Sequence, residues 1–264
     1  MPSNLPLPNH DEKYISDLAL SEIKQKIKLN GGKISFSKFM DHALYAPVLG
    51  YYSGRSKKFG ESGDFITAAE ETDILGRIIA KQCSVILNDI SDASIIEYGP
   101  GSGALAISIL KQLFKMDLKP RAYYMVDVSE DLIEIQKNRI STELPEICDS
   151  VIWISEIPDG FSGIVIGNEV IDSMPFERFM ISDKRILQFF VGIKEKELVY
   201  ELEPAHPELK KYVKQIEDKI GKYLCDGFTS EVSFKGRDWI NEISLRLNQG
   251  MVILLDYGVS RSEY

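Results

Sequence analysis

Three stretches of this 264-residue chain hold residues that could act together on one small molecule. In "SIIEYGPGSGALAISIL" (94–110), Glu97, Gly99, Gly101 and Gly103 stand where an apolar run gives way to a helical pattern. Glycines at such a junction let the backbone approach a ligand and set a helix N-terminus beside it. In "AYYMVDV" (122–128), Asp127 closes the next apolar run, and a carboxylate at that edge can accept both hydroxyls of a ribose. In "GNEVIDSMPF" (167–176), Asn168, Glu169 and Asp172 crowd the end of another run, where a second reactant would lie. The implied chemistry is the grip of an adenosine-bearing cofactor with a polar acceptor site next to it.

The glycines fit two templates. Gly99, Gly101 and Ala104 satisfy G-x-G-x-x-[GA], the dinucleotide fingerprint. Gly99, Gly101 and Gly103 satisfy G-x-G-x-G, the spacing usual where S-adenosylmethionine is bound. Glu97 separates the two, because a carboxylate beside the loop would repel a pyrophosphate yet can help bind the amino-acid end of S-adenosylmethionine. A NAD-dependent oxidoreductase stays as an alternative, although no His or Lys motif is placed to handle a hydride. A binding or assembly module that keeps the cofactor fold without catalysis is the other.

The elements that must position these residues read as follows. A leader rich in Pro and Asn (1–11) precedes a helix over 12–29 and a short helix over 36–44, capped by Ser35 and stopped by Pro47. A glycine-containing loop spans 46–71, long enough in a compact domain to suggest function. A helix over 72–88 follows. Strands over 94–98, 122–128, 150–155 and 163–169 then alternate with helices over 103–116 and from the N-cap Ser129 onward. This alternation predicts an α/β fold, a Rossmann-like parallel sheet with helices on both faces. After Pro175 the character changes to an antiparallel insertion of two or three strands, with turns at "SDKR" and "KEKE". Helices over 206–223 and 237–247 lead to a last buried-type strand in "GMVILLDYG" (250–258). The expected organisation is an N-terminal helical segment with the loop (1–90), then a core (91–264) interrupted at about 176–235.

Bulk properties narrow the partners. The formal net charge of −9 disfavours broad nucleic-acid binding and is compatible with a cationic protein substrate. Cys83, Cys148 and Cys225 are scattered, and His10, His42 and His206 are isolated, so no zinc site, metal centre or His-based triad is expected. No signal or transit character and no membrane span is visible, which points to a cytoplasmic protein.

The blocks "GYY" (50–52), "GESGDFITAAEE" (60–71), "EYGPGSG" (97–103), "VDVSEDLIEIQ" (126–136), "GNEVIDSMPFERF" (167–179) and "LLDYG" (254–258) occur together and in order. In this the chain, from about residue 12 onward, resembles the MidA family of class I methyltransferases, whose members are similar to the mitochondrial complex I assembly factor that methylates protein arginine. The resemblance implies S-adenosylmethionine as cofactor and a protein substrate, a subunit of respiratory complex I type. Glu97, Gly99, Gly101 and Gly103 match the family's cofactor loop, and Asp127 its ribose-binding position. Gly63, Asp64, Phe65 and Thr67 match a signature loop beside the cofactor and the reaction centre. Asn168, Glu169, Asp172 and Pro175 match the acceptor-side block, Asn168 next to the cofactor. "TAAEE" departs from the family, where a proline commonly precedes the Glu. The family usually continues past D-Y-G with further strands, so the expectation is a core truncated after Tyr264. Arginine is a demanding acceptor: planar, always charged and poorly nucleophilic. Carboxylates can hold it bidentately and draw charge from the attacking nitrogen. Glu169 and Asp172 are the candidates for that clamp, with Asp64 third.

Overall fold

The computed structural model describes residues 9–53 and 68–260. Along the chain the elements are α1 (His10–Leu29), β1 (Lys33–Ser35), α2 (Phe36–Tyr45), the single turn α3 (Ala68–Glu71) and α4 (Ile74–Asp89). Next come β2 (Ser94–Tyr98), α5 (Ala104–Lys115), β3 (Tyr123–Val126), α6 (Glu130–Glu143), β4 (Val151–Trp153) and β5 (Phe161–Asn168). The chain continues with β6 (Glu177–Ser182), β7 (Arg185–Lys194), β8 (Glu197–Pro204), α7 (Pro207–Ile220), β9 (Thr229–Val232), α8 (Phe234–Arg246) and β10 (Leu247–Leu255). They divide into two compact units, one from Arg55–Ser173 with Trp239–Gly258, the other from Met1–Gly54, Met174–Asp238 and Val259–Tyr264.

The first unit is the expected α/β fold. Its sheet has the order β10-β5-β2-β3-β4, and every neighbouring pair is parallel. Strand residues alternate between two apolar faces. Ile95, Tyr123, Met125, Ile164 and Ile166 pack with the buried residues of α4 and α5. Ile96 and Val165 pack with Ile243 on the opposite face, where Trp239 of α8 also lies. Helix α5 follows its glycine turn and buries Leu105, Ala106, Ile109, Leu110 and Leu113. Helix α6 is started by Ser129, whose Oγ accepts from the Leu132 amide at 3.4 Å, with Glu130 and Asp131 in the first turn. From β2 the chain moves outward through β3 and β4, then returns to the other side of β2 at β5. That reversal makes the carboxyl ends of β2 and β5 the switch point, the place where open α/β sheets bind ligands.

The boundary expected near residue 90 separates α4 from the sheet, but packing puts it with the sheet. Ile79, Ala80 and Cys83 of α4 belong to the core under β2 and β3. Gly76 lets α4 approach α5 closely, since a Cβ there would lie 2.3 Å from Ser108 Oγ.

The second unit is an antiparallel sheet in which β7 pairs with β8 along one edge and with β6 and β1 along the other, and β9 extends β6. The two turns predicted from "SDKR" and "KEKE" are two-residue hairpins. Asp183 and Lys184 have φ of 49° and 62°, and Glu195 and Lys196 have 49° and 70°, the left-handed pair that matches strand twist. Helices α1 and α2 supply Ile23, Ile27, Phe36 and Phe39 against Ile34 and Val191. Helix α7 buries Leu209 and Val213 with Phe179 and Ile181. The sheet has five strands rather than two or three because β1 and β9, too short to show a period, join the insertion. Among the described residues no helix is long and apolar enough to cross a membrane.

Candidate functional site

Four strand ends of the parallel unit carry the polar residues. After β2 the loop turns through Gly99, Gly101 and Gly103, with φ of 60°, 56° and 84°. These left-handed values explain three glycines in five residues, because a Cβ is penalised there. The Gly99 amide donates to Val126 O at 2.9 Å and the Gly103 amide to Pro100 O at 2.8 Å, so the loop is tied to β3 and to itself.

After β3, Asp127 is held from two directions. Its Oδ1 accepts the Ser129 amide at 2.9 Å and its Oδ2 accepts Gln136 Nε2 at 2.7 Å. The same Nε2 donates to Gly101 O at 2.8 Å, and Gln136 Oε1 accepts Trp153 Nε1 at 2.8 Å. A second network grips the loop from α3 and α6. Arg139 Nη1 donates to Ser102 Oγ, which donates to Glu70 Oε1, and Arg139 lies 3.5 Å from Glu70 Oε2.

Glu97 corrects an expectation. It is 1% exposed, and its Oε2 accepts the Tyr123 hydroxyl at 2.6 Å. Position 97 shares its sheet face with Ile95, and that face lies beneath α4 and α5. Instead of an accessible anion beside the loop, the residue is a buried carboxyl. Burial pushes its pKa from an ordinary 4.5 up to about 7, with the Tyr123 hydrogen bond opposing and the Asp127 charge adding to the rise. Nearby Cys83 is pushed up to about 12, mainly by burial, and stays a neutral thiol. Because the folded-state value is the higher one, the folded protein binds the extra proton between about pH 4.5 and 7, and stability falls as pH rises through that window. Glu97→Gln keeps an acceptor for Tyr123 and removes the buried charge. It is expected to stabilise the protein by on the order of 2–3 kcal/mol at pH 8 and far less at pH 5, read from urea unfolding at both. Equal effects at the two pH values would refute the shifted carboxyl.

After β5 and β10 lie the acidic residues. Asn168 ends β5 opposite Leu255. Glu169 follows with φ 51°, its amide donating to Leu255 O at 2.8 Å. Asp256 Oδ2 accepts the Ile171 amide at 2.7 Å and the Asp172 amide at 3.3 Å, and its Oδ1 accepts the Tyr257 amide at 2.8 Å. The carboxyls of Glu169 and Asp172 are both shifted up, by partial burial first. For Glu169 the charges of Asp172 and Asp256 add to this, and for Asp172 that of Asp256. Their mutual repulsion is what a cation between them would relieve. Val170 turns back over the glycine loop, and a Cβ on Gly99 would come within 3.2 Å of its Cγ2.

Gly63, Asp64, Phe65 and Thr67 lie outside the described residues. Pro175 falls in the antiparallel unit, where its carbonyl accepts from Ser233 Oγ at 3.0 Å.

A family model described as S-adenosyl-L-methionine-dependent methyltransferase matches residues 75–264, more than half of the chain. The chain belongs to this family, the MidA family that its motifs resemble. A crystal structure from Burkholderia thailandensis, solved bound to S-adenosyl-homocysteine, superposes with a TM-score of 0.90 at 28% identity, covering 99% of this chain and 67% of that one. The Caenorhabditis elegans protein named protein arginine methyltransferase NDUFAF7 homolog, mitochondrial, is 28% identical over 70% of this chain and 46% of its own length. The Homo sapiens protein of that name is 25% identical over 90% of this chain and 59% of its own. The chain thus spans about half the length of the curated relatives it matches. These relatives overturn the cytoplasmic expectation, since they are named as mitochondrial proteins.

Residues of this candidate site that escaped the sequence reading include Gln136, Glu70 and Asp256. Each acts through a contact distant in sequence. Gln136 lay in the quoted block "VDVSEDLIEIQ", and a lone amide on the apolar face of α6 is the signal that could have found it. Asp256 follows the apolar run in "LLDYG", the same strand-end position that singled out Asp127.

Proposed function

We propose that this chain binds S-adenosylmethionine at the glycine loop and methylates arginine on a protein substrate. One observation carries the reading: four adjacent parallel strands end in complementary groups around the reversal point. These are a left-handed glycine turn after β2, the braced Asp127 after β3, and the cluster of Glu169, Asp172 and Asp256 after β5 and β10. The S-adenosyl-homocysteine bound in the Burkholderia structure and the arginine methyltransferase names of the curated relatives support it. A respiratory complex I type subunit as the substrate rests on the family resemblance.

The residues suit that cofactor. Asp127 is a fixed acceptor for ribose hydroxyls, and the three glycines leave the backbone bare of side chains where the adenosine and amino-acid ends must pass. When bound, the cofactor supplies an electrophilic methyl on a sulfonium. The chain supplies the positioning. Glu169 and Asp172 hold the guanidinium by charge-assisted hydrogen bonds, with Asp64 as a third candidate, and orient one nitrogen for attack. As that nitrogen gains carbon it sheds a proton, which the Glu169 carboxylate accepts; its raised pKa suits this. By the family resemblance, Asn168 at the end of β5 belongs to the cofactor side. By the same resemblance, Gly63, Phe65 and Thr67 belong to the signature loop expected beside the cofactor. Glu97 contributes from behind the loop by fixing the end of β2 through Tyr123.

The test has two arms. Calorimetry should give saturable binding of S-adenosylhomocysteine, and labelled S-adenosylmethionine incubated with protein extract should leave label in methylarginine after hydrolysis. Absence of binding removes the cofactor assignment, and label in another amino acid removes the arginine assignment.

A further inference from the structure

We propose that Gln136 is a positioning residue that locks the glycine loop and Asp127 into one rigid piece and so sets the affinity for the cofactor's ribose. The inference rests on the proposed binding of S-adenosylmethionine and deepens it.

Gln136 is 0% exposed on α6, a position where an unpaired amide would be costly. Its partners leave one orientation open. The Trp153 indole N–H can only donate, so the oxygen, Oε1, must face it at 2.8 Å. Nε2 then faces Gly101 O at 2.8 Å and Asp127 Oδ2 at 2.7 Å, and neither of these can donate. Reversing the amide would set oxygen against two oxygens and nitrogen against an N–H. The indole therefore selects the rotamer that braces both loops. The Lys137 ammonium lies 5.4 Å from the Trp153 ring centroid, a cation–π contact that helps hold the indole in place.

One side chain thus joins the loop after β2, the loop after β3 and the end of β4. With Ser129 N–H on Oδ1 and Gln136 on Oδ2, the plane of the Asp127 carboxylate is set before any ligand arrives. A preset acceptor loses little rotamer freedom on binding two hydroxyls, which is where preorganisation adds affinity. The backbone at Gly101 is fixed by the same amide, so adenosine and amino-acid ends meet surfaces held in constant register. Packing adds to this: a Cβ on Gly103 would lie 3.7 Å from Gln136 Cγ, so the glutamine stem also backs the end of the loop.

The experiment compares S-adenosylhomocysteine with its 2′-deoxyribose analogue by calorimetry. Wild type should prefer the parent by about tenfold or more, the range of one hydrogen bond to a charged group. Gln136→Leu should lose roughly tenfold or more in affinity for the parent while changing little toward the analogue, so that the preference collapses. A purely structural role would weaken both ligands equally, and that result, or an unchanged preference, overturns the proposal. If Gln136→Leu does not fold, Trp153→Phe carries the test. It removes the N–H that selects the amide orientation along with one of the two fused rings, and it should cost about three- to fivefold for the parent and less for the analogue, whereas lost packing alone would weaken both ligands equally. Wild-type affinity in that variant overturns the proposal. Wild type that binds neither ligand removes the underlying cofactor reading, and the inference with it. Wild type that binds both equally removes the inference alone.

Discussion

Gly101→Val is expected to reduce affinity for S-adenosylhomocysteine by more than about 100-fold while leaving the fold intact. Three effects add. Gly101 sits at φ 56°, where an ordinary L-residue pays about 1–2 kcal/mol and a β-branched one is a genuine outlier. The turn therefore has to re-form in another conformation. Its carbonyl is also the acceptor for Gln136 Nε2, so any rotation of this peptide loosens the brace on Asp127. Finally, a branched side chain fills the space where backbone and ligand must meet. The loop is short, and the apolar core of α5 begins only beyond Gly103, so thermal unfolding should shift modestly compared with the loss of binding. Calorimetry beside a melting curve separates the two. Equal affinity in both proteins would move the cofactor away from this loop.

The parts of this site legible in the sequence are those that local patterning encodes. Apolar runs such as "SIIEY" and "GIVIGN" bounded by glycine or a carboxylate gave strand ends within a residue or two, because strands buried on both faces need uninterrupted apolar sequence. The glycine turn was legible because left-handed φ selects its residue type. Direction and partnership were not. Glu97 read as a charge at the loop because it stands two residues before Gly99. Only the sheet pairing reveals that the pleat sends its side chain under α4 and α5, against Tyr123. The brace from Gln136 joins residues 35 positions apart, and the Asp256 contact to the Ile171 amide spans 85. No local period records either. The same holds for β1 and β9, three and four residues long, which exist as strands only because β7 and β6 offer them open edges.

Glu169→Gln should leave S-adenosylhomocysteine binding within about twofold of wild type and lower methyl transfer by roughly 100-fold or more. The glutamate occupies φ 51°, an unusual conformation for a residue with a side chain, and the hydrogen bond its amide donates to Leu255 O at 2.8 Å holds it there. Strain of this kind, of order 1 kcal/mol or more, persists only where neighbouring structure enforces it. Here it aims a carboxylate into a space shared with Asp172 and Asp256, whose charges, after burial, keep its pKa raised. Glutamine preserves size, backbone and hydrogen-bonding reach, so the fold and the glycine loop are untouched. It removes the charge that holds a guanidinium and the base that takes its proton, and these act on the transition state more than on cofactor binding. The substitution should also relieve repulsion, so the variant is expected to melt slightly higher than wild type. The sign of the pH dependence follows from the same shifts. Burial and neighbouring charge raise the Glu169 and Asp172 carboxyls above the ordinary range, so they protonate and the clamp is lost as pH falls through their raised values, and methyl transfer should rise with pH as they ionise. In Glu169→Gln that rise should flatten. Unchanged turnover on the methylated protein would remove Glu169 from catalysis, whereas a parallel loss of cofactor affinity would recast it as part of the cofactor pocket.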